Sequence, residues 1–186
     1  MEPITINQAG LSDLDRLQQI GRQTFFETFA ASNSEQNMQT YLAEGFSSEK
    51  LTAELREPHS AFYFAEQAGR VIGYLKVNTG PAQTEQQAAH ALEIERIYVL
   101  HEFHGQRVGQ QLYEQALTLA QQAQAEYVWL GVWEENPRAI RFYQKNGFVE
   151  FDKHVFKLGD DVQTDILMKL DLPSNRHPVM PKSSSF

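Results

Sequence analysis

Several residue types that carry particular chemistries are missing from this chain. Its 186 residues include no cysteine, which excludes a disulfide framework, thiolate metal sites and a cysteine nucleophile. No segment approaches the roughly 20 apolar residues of a membrane-spanning helix. The first residues, Met1–Thr5, lack the basic and then apolar pattern of a signal peptide. We therefore expect a cytoplasmic protein that does not associate with a membrane.

Basic residues are also scarce. The chain has 16 Lys and Arg against 24 Asp and Glu, which gives a formal net charge of −8. Nucleic acids and anionic membranes bind clustered cations, so neither is expected as the main partner. The acidic balance suits a cationic substrate, although acidity serves only solubility in many proteins. Hydrophobic residues make up 41% of the chain, enough for the core of one globular domain.

The order of apolar patterns predicts one mixed α/β domain over residues 1–172. A short strand around Ile4 and Ile6 precedes a helix for which Ser12 is the predicted N-cap, with Asp15 as its capping-box partner. The later predicted elements are helices Asn33–Leu42 and Ser48–Leu55, strands Ala61–Glu66, Val71–Val77 and Leu92–Leu100, helix Arg107–Gln124, strand Tyr127–Trp133, a helix opened by Asn136-Pro137 and closed by Gly147, and a hairpin of Phe148–Leu158 and Val162–Leu172. Residues 173–186 form a polar tail that we expect to be disordered.

The strand that precedes the longest predicted helix changes phase along its length. Its apolar positions are Leu92, Ile94, Ile97 and Val99. The apolar residues are even-numbered before Glu95 and odd-numbered after Arg96. An extra residue inserted near Glu95-Arg96 would keep all four side chains on one face of the strand. We predict a β-bulge there, which leaves main-chain groups free for a ligand with an amide chain. The alternative is a strand segment that is buried on both faces.

The loop between this strand and the longest helix reads His104-Gly105-Gln106-Arg107-Val108-Gly109-Gln110. A turn that contains glycine before a helix N-terminus directs several backbone N–H groups at one point, with the positive end of the helix dipole behind them. The pattern therefore favours an anion site of the size of a pyrophosphate. The loop lacks the Gly-Lys-Ser/Thr of a nucleotide-hydrolysing P-loop and the Gly-x-Gly-x-x-Gly of a dinucleotide site.

A third segment has the pattern Asn-x-x-Ala-x-x-Phe-Tyr-x-Lys-x-Gly-Phe, from Asn136 to Phe148. This pattern resembles the C-terminal signature of the GNAT N-acetyltransferases, and the loop from His104 to Gly109 resembles the loop that binds the acetyl-CoA pyrophosphate in that family. The similarity runs from about Ile4 to Leu172. It implies the GNAT fold, a mixed and mostly antiparallel sheet with splayed middle strands and helices on both faces. It also implies acetyl-CoA as co-substrate, with no metal.

Five further segments resemble the bacterial PaiA-type spermidine/spermine acetyltransferases. They are Glu27-Thr28-Phe29, Asn37–Leu42, Leu92–Tyr98, Trp129–Glu134 and Gln163-Thr164-Asp165. One position departs from the GNAT pattern, because Arg107 stands where the family's first loop glycine is expected. A glycine there permits unusual backbone angles, whereas arginine offers a phosphate contact of its own.

The resemblance implies a role for each matching residue. Main-chain groups of Ile97, Tyr98 and Val99 pair with the pantetheine arm, and one of their N–H groups polarises the thioester carbonyl. The amides from Gly105 to Gln110 hold the pyrophosphate, and His104 belongs to the same cofactor-binding set. The remaining cofactor contacts implied are Asn136 on the pantetheine, Tyr143 at the CoA sulfur, and Arg138 or Lys145 on a phosphate.

The candidate catalytic residues are Tyr143, as the acid that protonates the departing thiolate, and Glu95, as the base or the substrate anchor. Glu93 joins Glu95 in binding the substrate. Each also has a purely structural interpretation: Asn136 caps a helix in any case, Tyr143 lies on an apolar helix face, and the two glutamates fit a solvated strand face. No metal is expected, because the neighbouring histidines His101 and His104 have no third ligand and are interpreted as surface residues. The tryptophans Trp129 and Trp133 are interpreted as core.

The function predicted from these motifs is transfer of an acetyl group from acetyl-CoA to a primary amine, with a polyamine such as spermidine or spermine as acceptor. Because there is no cysteine to carry an acyl group, the amine is expected to attack directly in a ternary complex. The alternatives are acetylation of protein N-termini or of another small amine, and a non-catalytic acyl-CoA-binding sensor. The expected partner is a small-molecule amine, and a homodimer is left open.

Overall fold

The computed structural model describes residues 2–85 and 87–173. Strands and helices there follow the order that the apolar patterns predict. The elements are β1 Thr5–Ala9, α1 Leu14–Phe29, α2 Glu35–Gly45, α3 Ser48–Arg56, β2 Ser60–Gln67, β3 Arg70–Thr79, β4 Ala91–Val99, α4 Val108–Gln122, β5 Tyr127–Trp133, α5 Pro137–Lys145, β6 Val149–Leu158 and β7 Asp161–Asp171.

The strands form one sheet in the order β1-β2-β3-β4-β5-β7-β6. Every neighbouring pair is antiparallel except β4 and β5, which run parallel. This parallel pairing covers only Ala91–Glu93 against Tyr127–Trp129, and beyond it the two strands part. The mixed, mostly antiparallel sheet with splayed middle strands is therefore confirmed.

The predicted bulge in β4 is confirmed as well. Lys76 pairs with Arg96 and the next residue, Val77, pairs with Ile94, so Glu95 is an extra residue without a partner in β3. A bulge bends the strand that carries it and increases its twist. Because this bulge follows the last residue that pairs with β5, it turns the second half of β4 away from β5.

Helices cover both faces of the sheet. On one face α4 and α5 bury a core with residues such as Leu112, Ala116 and Tyr143. On the other face α1, α2 and α3 bury an aromatic-rich core that includes Phe25 and Phe62. Because β5 carries apolar side chains on both faces, it belongs to both layers, as its continuous apolar sequence predicts.

The predicted N-cap of α1 is wrong by one residue. Ser12 is not its N-cap, because Leu11–Asp13 form a short 3₁₀ turn and the α-helix begins at Leu14. The carboxylate of Asp13 accepts a hydrogen bond from the backbone N–H of Gly10 at 3.0 Å. The reciprocal contact that was expected between Ser12 and Asp15 is instead made between Gly10 and Asp13.

Two predictions concern parts of the chain about which the structure says little. Apart from Pro173, the predicted disordered tail lies outside the described residues, so the domain boundary at residue 172 stays a prediction. Across residues 2–85 and 87–173, no helix is both long enough and apolar enough to span a membrane. The cytoplasmic location also stays a prediction.

Candidate active site

A cleft of about 300 Å³ opens where β4 and β5 part. One wall is β4, and the opposite wall consists of β5, β6 and β7. Residues of α1, α2 and α5 also line the cleft. Its aromatic lining residues are Phe29, Tyr41, Tyr98, Trp129, Trp133, Tyr143 and Phe156. Its charged lining residues are Glu85, Glu93, Glu95, His154 and Asp165.

Both tryptophans are buried, as predicted, and both also border the cleft. Trp129 is 1% exposed and Trp133 8% exposed. Each indole N–H donates to a glutamine side chain, Trp129 to Gln83 at 2.8 Å and Trp133 to Gln163 at 2.6 Å. The polar end of each ring is therefore satisfied, and the faces of the rings shape the wall.

The open edge of β4 presents the main chain of alternate residues. The N–H of Leu100 donates to the carbonyl of Ile72 at 2.9 Å, which fixes which residues bond to β3. In an antiparallel pair the bonded residues alternate, so Tyr98 pairs with β3 while Ile97 and Val99 direct their N–H and C=O groups toward the gap. The expectation that Tyr98 offers its main chain to pantetheine is thereby corrected, because β3 already occupies those groups.

The loop before α4 has the backbone shape that the anion-site prediction requires. Gly105 has φ +81° and Arg107 has φ +63°, both in the left-handed region. The first intrahelical bond of α4 runs from Gln111 N–H to Arg107 C=O at 3.1 Å. The amides of Val108, Gly109 and Gln110 consequently have no acceptor within the helix and point out of its N-terminus.

Two amides of that loop are engaged elsewhere. The N–H of His104 donates to the carbonyl of His101 at 3.1 Å and the N–H of Gln106 donates to the carbonyl of Phe103 at 3.4 Å, so both are turned away from an anion. The first turn of α4 packs closely on the end of β4, since a Cβ at Gly109 would lie 3.9 Å from Val99 Cγ2. This packing places the helix N-terminus beside the open edge of β4.

His104 connects the loop to both sides of the gap. Its Nε2 lies 2.9 Å from the carbonyl of Val99, and its Nδ1 lies 2.6 Å from Nη1 of Arg138 in α5. Because Nδ1 must accept from a guanidinium, the ring fits the neutral form with the proton on Nε2. Burial, and then the charge of Arg138, lower the pKa of His104 and favour this form.

The end of α5 lies near the start of α4. The amide of Gln110 donates to the side-chain oxygen of Asn146 at 3.4 Å. Lys145, the preceding residue, is exposed in the last turn of α5. The structure thus brings His104, Arg138 and the amides at the start of α4 together, with Lys145 at the margin of this group.

Asn136, which precedes α5, and Ala139 and Tyr143 of α5 line the cleft. Asn136 is the N-cap, as predicted, and its side chain accepts from the N–H of Ala139 at 3.2 Å. Tyr143 is 6% exposed and packs against the rings of Phe142 and Phe148. Asn136 and Tyr143 both line the cleft, so the structural position of each is compatible with the predicted role, which stays a prediction. Burial raises the pKa of Tyr143, which keeps its hydroxyl protonated.

The structure is at odds with Glu95 as a base. Its carboxylate lies 2.5 Å from the ammonium of Lys76 and 3.4 Å from the guanidinium of Arg96, and accepts from Asn78 at 2.7 Å. Burial alone would raise the pKa of Glu95, but the two cations and the hydrogen bonds outweigh it and lower the pKa. A carboxylate held between two cations stays ionised and is a poor proton acceptor.

Glu54 of α3 completes this buried ion network, which the sequence did not predict. It lies 3.2 Å from Lys76 and receives two bonds from Arg96, at 2.9 and 3.0 Å. A signal was available in Lys76, a lysine inside an apolar strand. The partner Glu54, however, lies in helix α3, whereas Lys76 lies in strand β3, so sequence spacing does not identify the pair.

Glu93 has a different environment. It is 3% exposed and accepts hydrogen bonds from the backbone N–H of Thr84 at 2.8 Å, from the Thr84 hydroxyl and from Asn78 at 3.0 Å. These donors are all neutral. Burial therefore raises the pKa of Glu93 in spite of the hydrogen bonds. Of the two glutamates, Glu93 is the one that can accept a proton.

The opposite wall holds an acidic residue to which sequence reasoning assigned no role. Asp165 of β7 lies in register with Trp133 of β5 and His154 of β6. Burial raises its pKa to about 6. His154 lies 2.7 Å from Glu85. Across the described part of the chain, no group of three or more possible ligands is arranged to hold a metal ion.

Comparison with known proteins decides the family. The chain matches the acetyltransferase (GNAT) family over residues 17–148. It belongs to this family. An uncharacterized N-acetyltransferase of Lactobacillus delbrueckii subsp. lactis is 41% identical over 91% of this chain and 98% of its own. The acetyl-CoA-dependent N-acetyltransferase activity predicted from the sequence is thereby confirmed.

Two matches come from Thermoplasma acidophilum. A spermidine N(1)-acetyltransferase is 26% identical over 78% of this chain and 88% of its own. A crystal structure of the PaiA N-acetyltransferase in complex with coenzyme A superposes with a TM-score of 0.76, at 23% identity, over 91% of this chain and 99% of that one. The superposition confirms the GNAT fold of this acetyltransferase.

The left-handed backbone of Arg107 leads to a stability prediction. A residue with a Cβ loses about 1–2 kcal/mol in this conformation, whereas glycine adopts it freely. Arg107→Gly should therefore raise the free energy of unfolding by up to about 1 kcal/mol, since the entropy of glycine in the unfolded chain offsets part of the gain. Urea denaturation measures the change.

Gly105→Ala is the matched control, because it adds a Cβ at φ +81° in the same loop. It should lower the free energy of unfolding by about 1 kcal/mol. If Arg107→Gly is instead destabilising, the arginine side chain makes a contact that is worth more than the backbone strain.

Proposed function

We propose that this acetyltransferase acetylates a primary amine of a polyamine such as spermidine or spermine, by direct attack in a ternary complex. The charge of the cleft carries the proposal. Four carboxylates line it, Glu85, Glu93, Glu95 and Asp165, and its described lining includes no lysine or arginine. Alkyl amines are protonated to ammonium groups at pH 7. A cavity lined by carboxylates attracts these ammonium groups and repels anions.

The aromatic lining supports the same acceptor. Tyr41, Trp133 and Phe156 border the cleft with the carboxylates, and aromatic faces attract ammonium groups. The alkyl segments of a polyamine also pack well on such rings. The similarity to the Thermoplasma spermidine N(1)-acetyltransferase agrees with this acceptor class.

Glu93 is the proposed general base. Only a neutral nitrogen attacks, so the ammonium must first lose a proton. The carboxylate of Glu93 takes that proton, directly or through one water molecule, and its raised pKa makes it a stronger acceptor than an ordinary glutamate. Glu95 stays ionised in its ion network, where Lys76 and Arg96 balance its charge, and it does not act as the base.

The open edge of β4 is the proposed binding site of the thioester arm. The N–H and C=O of Ile97 and the N–H of Val99 pair with the pantetheine, and Asn136, the N-cap of α5, contacts it. An N–H of this edge polarises the thioester carbonyl as negative charge develops on its oxygen. The amides of Val108, Gly109 and Gln110 hold the pyrophosphate, together with Arg107, Arg138 or Lys145.

Tyr143 is the proposed acid. As the carbon–sulfur bond breaks, its hydroxyl gives a proton to the departing sulfur, and solvent returns a proton to the phenolate. The raised pKa keeps the hydroxyl protonated across the working pH range. The nitrogen loses its second proton to solvent, which completes the acetamide product, and the proton held by Glu93 then also passes to solvent, so each turnover releases one net proton.

An amine panel tests the acceptor. CoA-thiol release is measured with spermidine, spermine, an arylamine and a peptide with a free N-terminus. The polyamines should have the highest kcat/KM, because they alone carry several positive charges. A higher value for the arylamine or the peptide contradicts the proposal, and acetyl-CoA binding without turnover of any amine indicates an acyl-CoA sensor.

The assignment of the base is tested with Glu93→Gln and Glu95→Gln. Glu93→Gln should lower kcat/KM by about 10²–10⁴-fold, the range of general-base contributions. It should also remove the acidic limb of the pH profile, which reports the raised pKa of Glu93. Glu95→Gln should keep that limb and lower stability instead, since it leaves buried cations less well paired.

The outcome is read from pH profiles of folded variants saturated with acetyl-CoA. Loss of the acidic limb in Glu95→Gln alone would return the base role to Glu95. An unchanged profile in both variants would exclude both glutamates.

Tyr143→Phe tests the acid. The phenylalanine ring keeps the packing against Phe142 and Phe148, so the fold and the acetyl-CoA Kd should be unchanged. The kcat should fall by about 10²-fold, at the low end of general-acid effects because a thiolate is a fair leaving group. Steady-state kinetics with saturating acetyl-CoA measures the change.

Tyr113→Phe is the matched control. Tyr113 packs on the same two rings, Phe142 and Phe148, and does not line the cleft. Its hydroxyl should make no difference to kcat. A kcat of Tyr143→Phe within about twofold of the wild type, well below general-acid effects, removes Tyr143 from the mechanism.

A further inference from the structure

Asp165 is a partly buried carboxylate that the proposed reaction does not use. No described side chain or amide donates a hydrogen bond to its carboxylate, and no lysine or arginine pairs with it. The nearest charged groups from neighbouring elements are His154 of β6 and Glu85 of the loop after β3. These two are already paired with each other at 2.7 Å. Partial burial without a partner disfavours the charged form of this carboxylate, so its position calls for a reason.

Gly131 provides the space that Asp165 occupies. A Cβ at Gly131 would lie 3.2 Å from Oδ2 of Asp165, which is tighter than an ordinary contact. The carboxylate therefore lies across the exposed backbone of β5, at a point on the cleft wall that any side chain would fill. Trp133, the partner of Asp165 in the register, supplies an aromatic ring on the same wall.

The position of this carboxylate relative to Glu93 defines a second point of contact. Glu93 lies in register with Trp129 of β5, whereas the Asp165 carboxylate lies beside Gly131, two residues and about 7 Å further along that strand. The two carboxylates stand on opposite walls of one cleft. The cleft therefore offers an acceptor two carboxylates at separate points.

We propose that Asp165 binds the second, non-reacting ammonium group of the acceptor, so that the enzyme selects diamines and polyamines over monoamines of equal length. The inference rests on the proposed function and adds the residue that determines specificity. A carboxylate beside aromatic rings is a common environment for a bound ammonium group. The ammonium would supply the partner that the described residues do not provide.

The test compares two acceptors that differ only at the far end. In 1,4-diaminobutane an ammonium occupies the position of the terminal methyl group of 1-aminopentane. The measured quantity is the ratio of kcat/KM for the diamine to that for the monoamine, at saturating acetyl-CoA. Asp165→Asn should lower this ratio by at least about tenfold, mainly through KM of the diamine, because a charged hydrogen bond is lost.

Asp171→Asn is the matched control. Asp171 lies on the same strand, is exposed, and pairs with Lys169 at 3.5 Å. The substitution removes the same charge outside the cleft. The ratio of the two kcat/KM values should therefore stay within about twofold of the wild-type ratio, below the effect of one charged hydrogen bond. Gly131→Ala is a second variant: its Cβ displaces the Asp165 carboxylate, and the ratio should fall in the same direction.

Calorimetric titration of the CoA-bound protein with 1,4-diaminobutane gives a readout that does not depend on turnover. Asp165→Asn should weaken the Kd by a factor similar to that in KM. An unchanged ratio and Kd overturn the inference, as does a parallel loss with both amines, which would assign Asp165 to the chemistry or to the fold.

The wild-type enzyme separates the two levels of the argument. If it acetylates 1-aminopentane as efficiently as 1,4-diaminobutane, the role of Asp165 is wrong while amine acetylation stands. If it releases no CoA with any amine of the panel, the proposed function fails, and the inference fails with it.

Discussion

The parting of β4 and β5 is the constraint on which the candidate site depends. Two parallel strands in the middle of a sheet normally pair along their length, yet these pair over three residues only. The extra residue Glu95 bends β4 at the point where pairing ends. The bend leaves the main chain of Ile97 and Val99 without a neighbouring strand, and it opens the cleft between the two core layers.

The buried ion network explains how two glutamates in one strand differ in character. Glu95 is the bulge residue and lies among Lys76, Arg96 and Asn78, so its pKa is lowered. Glu93 lies before the bulge, where only neutral groups donate to it, and burial raises its pKa. Neighbouring carboxylates with opposite pKa shifts are typical of sites that need one fixed charge and one proton acceptor.

Local patterns predicted much of this architecture. The bulge follows from the phase change between Ile94 and Ile97, and the boundaries of α5 follow from Asn136, Pro137 and Gly147. The pKa order of Glu93 and Glu95 does not follow from any local pattern. It depends on Lys76 in β3, which reaches Glu95 only through the tertiary fold.

The opening in the sheet also determines how the proposed acid and base can cooperate. Tyr143 belongs to the core between the sheet and α5, whereas Glu93 faces the opposite side of the sheet, with Trp129. A continuous sheet would separate the two groups by a layer of hydrogen-bonded backbone. Because β4 and β5 part, both line the same cleft, and a reacting carbonyl at the edge of β4 is accessible from both faces. The two groups can therefore act on one carbonyl only because the strands diverge.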